Sequence, residues 1–214
     1  MTDRNETGAA GRIDRLYGLN TPDDAATAYA AVAESYAADH MARGFLLPFV
    51  GAGVLARHMG AENGSILDAG CGTGLVGAAL AGMGFGPIAG LDMSPEMLRV
   101  AETTGAYKAL VAGDLSRPLP FATRSFDAVI AIGVFGPGHA PPQALRELNR
   151  VAGYGCPVVF SLREDTYEEQ GFPAVIDDLT ATDAWRPLSE GEPCRVYLMD
   201  KPQLKARLFA FMSR

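Results

Sequence analysis

Three closely spaced glycines, with an acid just before them, are the first residues here with the chemistry to bind a ligand. They lie in the segment LDAGCGTGL at 67–75, where Gly70, Gly72 and Gly74 follow an apolar run and Asp68 precedes them. Glycines let a backbone turn tightly and approach a ligand closely. A helix that begins after the turn directs its first amides at that ligand, which suits a carboxylate or phosphate. Asp68 has the chemistry to accept a hydrogen bond from a cationic amine.

Two further acids follow later apolar runs. Asp92 stands 20 residues after Gly72, and Asp114 stands in the segment Gly113-Asp114-Leu115. An acid at the position of Asp92 binds ribose hydroxyls in dinucleotide folds; Met93 is then placed to lie against adenine, and Asp114 to accept from the adenine amino group. One such acid in isolation is more often a cap or a solvated residue. The three acids together predict a nucleoside site.

The elements that position these acids alternate between short apolar runs and helical stretches. Such alternation predicts βαβ units and a doubly wound, parallel sheet. Two C-terminal runs predict an antiparallel pair. We therefore expect an α/β fold with a mostly parallel, seven-stranded Rossmann-like sheet and an antiparallel C-terminal strand. The predicted strands are 65–69, 87–91, 108–112, 126–132 and 156–162, the helices are 74–83, 94–104, 142–152 and 172–182, and the C-terminal runs are 185–196 and 206–211.

The N-terminal region predicts a loose tail over residues 1–20, followed by helices at 22–39 and 45–59. Residues 21–214 are expected to form one domain, with 22–60 as capping helices and 65–214 as the Rossmann-like core. Tyr29, Val32 and Tyr36 share one face of the first helix by their three- and four-residue steps. That face is either a lid over the ligand or a surface packed on the sheet, and the sequence leaves both interpretations open.

Composition narrows the possible partners. The chain has 214 residues, 48% of them hydrophobic, and a formal net charge of −7. That charge, without a Lys/Arg cluster, predicts no binding to nucleic acids. We expect no membrane span and no secretory signal, and hence a cytoplasmic protein. Cys71, Cys156 and Cys194 form no CxxC pair, so neither disulfides nor a metal site is predicted.

These motifs together resemble the class I S-adenosylmethionine-dependent methyltransferases. The resemblance rests on LDAGCGTG, on Asp92 and on GDL at 113–115, with SFDAVIAIGVF (125–135) and ELNRVAGYGCPVVFS (147–161) as the later motifs. Within that class the chain looks most like the Williams–Beuren syndrome region methyltransferase-like family. LDAGCGTGLVG, GLDMSPEMLRVA and the spaced tyrosines of YAAVAESYA (29–37) are the basis of this closer match.

The resemblance implies S-adenosylmethionine as cofactor and assigns a role to each part of the site. It implies that the methionine part is held at the first motif, the ribose at the second and the adenine at the second and third. It further implies that a tyrosine hydroxyl of the first helix meets the cofactor carboxylate, and that residues after the fourth strand lie near the methyl group. The implied residues are Asp68, Ala69, Gly70, Cys71, Gly72 and Gly74 for methionine; Asp92 for ribose; Met93, Asp114 and Leu115 for adenine; Tyr29 or Tyr36 for the carboxylate; and Ile132 and Gly133 near the methyl group.

The expected reaction is methyl transfer to a small-molecule acceptor. The cofactor supplies the reactive group and the protein supplies orientation, so a catalytic base is optional. His139, after the fourth strand, is the candidate base, although a solvent-facing residue at a helix entry is the alternative. No Asn-Pro-Pro-aromatic or Pro-Cys signature follows that strand, which disfavours methylation of amino-adenine, glutamine or the cytosine ring. Cys71 is expected to pack rather than to react.

Two other functions fit parts of the sequence. Residues 72–77 also match GxGxxG, which is found in nicotinamide and flavin dehydrogenases. A dehydrogenase of that kind does not need acids at the positions of Asp68 and Asp114. The second alternative is a protein that binds the cofactor without catalysis, because a fold does not guarantee an activity.

Overall fold

The strands form one sheet with the order β3-β2-β1-β4-β5-β8-β6, and a short β7 pairs with β8. The structure is a computed structural model that describes residues 9–16, 22–59, 64–136 and 139–214. The strands are β1 (Ile66–Ala69), β2 (Ile88–Asp92), β3 (Ala109–Ala112), β4 (Ala128–Ala131), β5 (Pro157–Arg163), β6 (Trp185–Glu190), β7 (Cys194–Arg195) and β8 (Lys205–Ser213).

Strands β1 to β5 are parallel, so their carboxyl ends meet at one edge of the sheet. Strand β8 runs antiparallel to β5 over seven residue pairs, from Pro157↔Met212 to Arg163↔Ala206. Both β6 and β7 pair antiparallel with β8. The predicted mostly parallel sheet with an antiparallel C-terminal strand is confirmed, and the two-residue β7 adds an eighth strand.

Helices cover both faces of the sheet. They are α1 (Ala9–Leu16), α2 (Pro22–Ala42), α3 (Leu47–His58), α4 (Leu75–Gly82), α5 (Pro95–Thr103), α6 (Ala144–Val151), α7 (Glu164–Tyr167) and α8 (Phe172–Ala181). Helix α5 shows how the sequence sets a start: Pro95 occupies the first turn, and the Ser94 side chain accepts a hydrogen bond from the Met97 amide at 3.2 Å.

Alternation along the strands divides the core into two layers. Successive side chains of a strand point to opposite faces. Val129 of β4 packs with residues of α6 and α8, whereas its neighbour Ile130 packs with residues of α1 to α5. All four residues of β1 and of β4 are buried, as expected for strands covered on both sides. The two central strands are therefore held rigidly, and their carboxyl ends provide a fixed base for a site.

The region predicted as a loose tail contains helix α1. Ile13 and Leu16, three residues apart, are both buried in the same core layer as α2 and α3. Arg12 also makes two 2.8 Å hydrogen bonds to Asp39 of α2. Residues 1–20 are mostly polar and include glycines, so this short apolar stripe did not predict a helix. The rest of the predicted tail lies outside the described residues.

The two predicted capping helices differ in their placement. Helix α2 contacts α1 and α5, and its Tyr29 and Tyr36 face a cavity at the carboxyl edge of the sheet. Helix α3 packs along the sheet face against β4 and β5. A Cβ at Gly51 of α3 would lie 2.6 Å from Cδ1 of Ile132, so the helix approaches the sheet closely. No helix in the described ranges has the length and apolarity needed to cross a bilayer.

Candidate active site

One cavity lies at the carboxyl edge of the parallel strands, and its wall has two parts. The strand-end half is formed by the loops after β1, β2 and β3. The aromatic half is formed by α1, α2, the start of α3 and the loops after β4 and β7. The strand-end half includes Gly70, Cys71, Gly72, Asp92, Met93, Asp114 and Leu115; the aromatic half includes Tyr29, Tyr36, His40, Phe45, His139 and Val196, with Ile132 and Gly133 also on the cavity wall.

The glycine turn after β1 needs glycine for two physical reasons. Gly70, Gly72 and Gly74 all have positive φ values, of 77°, 52° and 90°. A Cβ on Gly70 would also lie 2.2 Å from Cγ1 of Val134, whereas the space beside Gly72 is open. The turn leads directly into α4, whose first residue, Leu75, lines the cavity. The turn therefore places the start of α4 at the cavity, although Gly74 itself is not part of the wall.

Asp92 ties the end of β2 to the glycine turn. Its carboxylate accepts hydrogen bonds from the Gly72 amide at 2.8 Å and from the Ser94 amide at 2.9 Å. Burial raises the pKa of Asp92 above its usual range, and these two backbone bonds oppose that shift. Each carboxylate oxygen keeps a second lone pair for a hydroxyl donor. Asp92 thus lies on the cavity wall, and its role at the ribose stays a prediction.

The predicted adenine residues also lie on the wall. Met93 is 41% exposed, which leaves its side chain accessible to a flat ring, and Leu115 is buried beside it on the wall. Asp114 accepts two 2.7 Å hydrogen bonds, one from the Ser116 amide and one from the Ser116 hydroxyl. These bonds fix the Asp114 carboxylate at the end of β3.

Asp68 and Ala69 lie behind the glycine turn and not on the cavity wall. Asp68 is fully buried, and its Oδ2 accepts a 2.7 Å hydrogen bond from the hydroxyl of Tyr107. Its Oδ1 has no hydrogen-bond partner among the described residues. Burial raises the pKa of Asp68 to about 7, against the opposing effect of the Tyr107 bond. The sequence pointed to Asp68 but not to Tyr107, which lies in no recognised motif.

Cys71 has the properties of a packing residue. It is buried, and a Cβ on Gly90 would lie 2.9 Å from its Sγ. Burial and the nearby Asp68 and Asp92 carboxylates raise the pKa of the thiol. A thiol that resists ionisation is a poor nucleophile. Among the residues that the structure describes, no three His, Cys, Asp or Glu side chains are grouped to hold a metal ion.

The aromatic half joins α2 to the loop after β4. The Tyr29 hydroxyl lies 2.8 Å from Nε2 of His139, and the two rings meet edge to face. Tyr36 packs against Tyr29, with 5.8 Å between the two ring centroids. His139 therefore lies at the cavity rather than on an open surface. The same face of α2 both packs on the core and lines the cavity, so the two interpretations of that face are not exclusive.

His40 also lines the cavity, although no motif of the sequence includes it. It is 3% exposed, and its Nδ1 lies 2.9 Å from the hydroxyl of Tyr197. Its Nε2 is buried and has no hydrogen-bond partner among the described residues. Burial, assisted by the positive charge of Arg43, lowers the pKa of His40 to about 3, so the imidazole is neutral near pH 7. Only the fold brings residues 40 and 197 together.

The residues after β4 close the floor between the two halves. Ile132 is buried, and Gly133 has a positive φ of 72°. The Gly133 amide donates a 2.8 Å hydrogen bond to the hydroxyl of Ser161 in β5. Arg163, at the end of β5, lines the same cavity. Ile132 and Gly133 thus lie on the cavity wall, and their place near the methyl group stays a prediction.

Comparison with known proteins shows what this chain is similar to. Residues 67–160 match the family described as "Methyltransferase domain". Human methyltransferase-like protein 27 is 35% identical over 126 residues, which cover 58% of this chain and 51% of the relative. The solved structure of a TehB-like S-adenosylmethionine-dependent methyltransferase from Corynebacterium glutamicum has a TM-score of 0.63 at 21% identity, covering 86% of this chain and 99% of that chain.

Residues 67–160 therefore match a methyltransferase domain, and the chain has the fold of a solved S-adenosylmethionine-dependent methyltransferase. The strand-end half fits S-adenosylmethionine, because it offers the Asp92 carboxylate and, behind the turn, the Oδ1 of Asp68, which has no hydrogen-bond partner among the described residues. The chain spans about half the length of methyltransferase-like protein 27. The narrower resemblance to the Williams–Beuren family stays a prediction.

The prediction that this protein has no nucleic-acid partner is wrong, because net charge alone does not exclude one. The 18S rRNA (guanine(1575)-N(7))-methyltransferase of Saccharomyces cerevisiae is 42% identical over 67 residues, which cover 31% of this chain and 24% of the relative. A relative named for an RNA substrate shows that the class is not confined to small molecules. Net charge is a sum over the whole chain, whereas recognition depends on a local surface.

Proposed function

We propose that this protein transfers the methyl group of S-adenosylmethionine to a small-molecule acceptor that binds in the aromatic half of the cavity. The observation that supports this most is the continuity of the two halves, which line a single cavity. A cofactor held at the strand ends would supply its methyl group to an acceptor bound in the same cavity. Methyl transfer needs the acceptor atom held in line with the methyl group, and a shared cavity provides that alignment.

The chemistry of the aromatic half favours an apolar acceptor with one neutral polar group. Phe45, Leu47 and Val196 contribute apolar surface to the wall. The imidazole of His40 is uncharged near neutral pH, and its Nε2 is available for one hydrogen bond within the described residues. Apolar walls with few polar groups are typical of small-molecule sites, where the polar groups fix orientation.

His139 is the residue for proton removal, if the acceptor loses a proton on methylation. Its ring lines the cavity and is held by the Tyr29 hydroxyl at 2.8 Å. An imidazole oriented by a second group is the usual arrangement of a general base. Because in-line transfer also proceeds without a base, the proposal assigns His139 a supporting role.

The test follows radioactive methyl groups from labelled S-adenosylmethionine into a cell extract separated into metabolites, RNA and protein. We expect label in the metabolite fraction with the wild type, and loss of that label with Asp92→Ala. Label only in RNA or only in protein would overturn the acceptor class. Binding of S-adenosylhomocysteine without any transfer would instead support the cofactor-binding protein without catalysis. In calorimetry, binding heat on addition of NAD, but none with S-adenosylmethionine or S-adenosylhomocysteine, would support the dehydrogenase.

A further inference from the structure

Tyr107 lies between α5 and β3, outside every motif of the sequence. It nevertheless contacts Asp68 behind the glycine turn and the first residues of α4. Its hydroxyl donates to Oδ2 of Asp68 at 2.7 Å and accepts from the Gly77 amide of α4 at 3.2 Å. The hydroxyl thus links the start of α4 to the acid at the end of β1. Two well-formed bonds leave this oxygen with one defined orientation.

Glycines make room for the Tyr107 ring on three sides. A Cβ on Gly77 would lie 2.3 Å from the Tyr107 hydroxyl oxygen, and one on Gly90 would lie 2.9 Å from Cδ1. A Cβ on Gly74 would lie 3.1 Å from Cε2. These contacts hold the ring in a slot that α4, β2 and the glycine turn form together. The side chain is therefore fixed by packing as well as by hydrogen bonds.

Asp68 is left with one oxygen that the protein does not satisfy. The residue is fully buried, and its Oδ1 has no partner among the described residues. A buried carboxylate oxygen without a donor is costly. The ionisable groups that act on Asp68 are Tyr107, Asp92 and Cys71, and the Asp92 carboxylate makes ionisation of Asp68 harder. None of them is a cation, so a cationic group from a ligand would relieve this imbalance.

We propose that Tyr107 is a positioning residue for cofactor binding: it holds Oδ2 of Asp68 and so leaves Oδ1 to accept from the α-ammonium group of S-adenosylmethionine. Because Asp68 lies behind the turn, the turn must shift for the bound amino acid to reach Oδ1, and glycines at 70 and 72 give the backbone the freedom to do so. The inference rests on the cofactor assignment and not on the identity of the acceptor. On this proposal Tyr107 affects binding of the amino-acid part of the cofactor and not binding of the nucleoside.

A dependence on pH follows from the burial of Asp68. Its pKa in the empty site is raised to about 7, and the Tyr107 bond acts to lower it. An ammonium group favours the ionised carboxylate, so binding releases the proton that Asp68 holds below pH 7. Affinity then falls as the pH drops below about 7. Without the Tyr107 hydroxyl the pKa of Asp68 rises further, and the fall begins at a higher pH.

The test compares two ligands by calorimetry from pH 5.5 to 8.5. S-adenosylhomocysteine carries the amino acid, and 5′-methylthioadenosine carries the same nucleoside without it. For the wild type we expect S-adenosylhomocysteine to bind more tightly as the pH rises and to level off above about pH 7.5. Tyr107→Phe should bind it about tenfold more weakly at pH 7, with the rise moved to higher pH. Binding of 5′-methylthioadenosine should change less than about twofold with pH or with the variant.

Two further variants complete the experiment. Tyr154→Phe changes a tyrosine that is 69% exposed and should bind both ligands like the wild type. Asp68→Asn should bind S-adenosylhomocysteine weakly and with no pH dependence in this range, a result that does not require Tyr107→Phe to fold. If Tyr107→Phe weakens the binding of both ligands equally, Tyr107 only supports the glycine turn, and the proposal is overturned. If neither ligand binds the wild type, the cofactor assignment itself fails.

Discussion

The strand-end half of the cavity takes its polar groups from residues 68–116, whereas the aromatic half combines segments that are far apart in the chain. In the first, Asp92 is the last residue of β2 and Asp114 lies two residues after the end of β3, so the parallel sheet sets their positions. In the second, Tyr29 meets His139 and His40 meets Tyr197 across 110 and 157 residues of sequence. The first half depends on local motifs, and the second depends on how helices and loops pack.

The two halves also differ in charge. The strand-end half presents the carboxylates of Asp92 and Asp114, which suits the hydroxyls, amines and positive charge of the cofactor. The aromatic half presents tyrosine rings and the neutral imidazole of His40. If this division is correct, substitutions on one side change cofactor affinity, and substitutions on the other change use of the acceptor. The predictions below test that separation.

The largest effect is expected for Asp92→Ala. The variant removes a carboxylate that the ribose needs and leaves the Gly72 and Ser94 amides without their acceptor. Calorimetry should show a loss of about 1.5–3 kcal/mol in S-adenosylhomocysteine binding, as for hydrogen bonds to a charged group. Asp178→Ala is the control, because Asp178 is exposed and pairs with Arg146 on the surface. Unchanged affinity in Asp92→Ala would place the ribose elsewhere.

His40→Phe should have a smaller effect, confined to the acceptor. Phenylalanine keeps a ring against Tyr36 and Phe45 but removes both the 2.9 Å contact of Nδ1 with the Tyr197 hydroxyl and the hydrogen bond that Nε2 would give the acceptor. With the acceptor found by label transfer, KM should rise about tenfold, the size expected for one lost hydrogen bond in a buried site. S-adenosylhomocysteine affinity should stay within about twofold.

His40→Gln is the matched control for that experiment. The glutamine amide reaches toward the position of Nε2, so this variant should recover part of the lost affinity for the acceptor. The readings are steady-state KM and calorimetric affinity for S-adenosylhomocysteine. A His40→Phe variant that loses cofactor and acceptor equally would show that the two halves do not act separately. Full activity in His40→Phe would remove His40 from the acceptor site.

The sequence predicts the strand-end half well because each of its residues is tied to a local element. An apolar strand followed by Gly70, Gly72 and Gly74 has few other structures available, since positive φ values favour glycine. The mostly parallel sheet and its antiparallel C-terminal strand follow from the alternation of elements and from the two C-terminal runs, whereas the order of the strands comes from the structure. Helix α1 was missed because its described buried side chains, Ile13 and Leu16, form only one short stripe.

Tyr107 and His40 show where sequence reasoning stops. The slot for Tyr107 is formed by Gly74, Gly77 and Gly90, which lie in a turn, a helix and a strand. Nothing local relates those glycines to a tyrosine before β3. His40 gains its role from the hydroxyl of Tyr197, which only the tertiary structure supplies. Residues defined by such long-range packing leave no periodicity or spacing in the sequence.

The smallest effect is expected for Tyr29→Phe, which tests whether α2 acts as a lid. The variant removes the 2.8 Å contact between Tyr29 and His139 and keeps the ring that packs beside Tyr36. One hydrogen bond of this kind contributes about 0.5–1.5 kcal/mol, so exchange of amide hydrogens in residues 22–40 should accelerate roughly two- to tenfold in the empty protein. A lid is mobile when empty and ordered when loaded, so S-adenosylhomocysteine should slow the same exchange in the wild type. Tyr167→Phe is the control, because that ring stacks on Phe209 away from α2. Exchange that responds neither to the ligand nor to Tyr29→Phe would make α2 a fixed part of the core, and the aromatic half would then be a permanent wall.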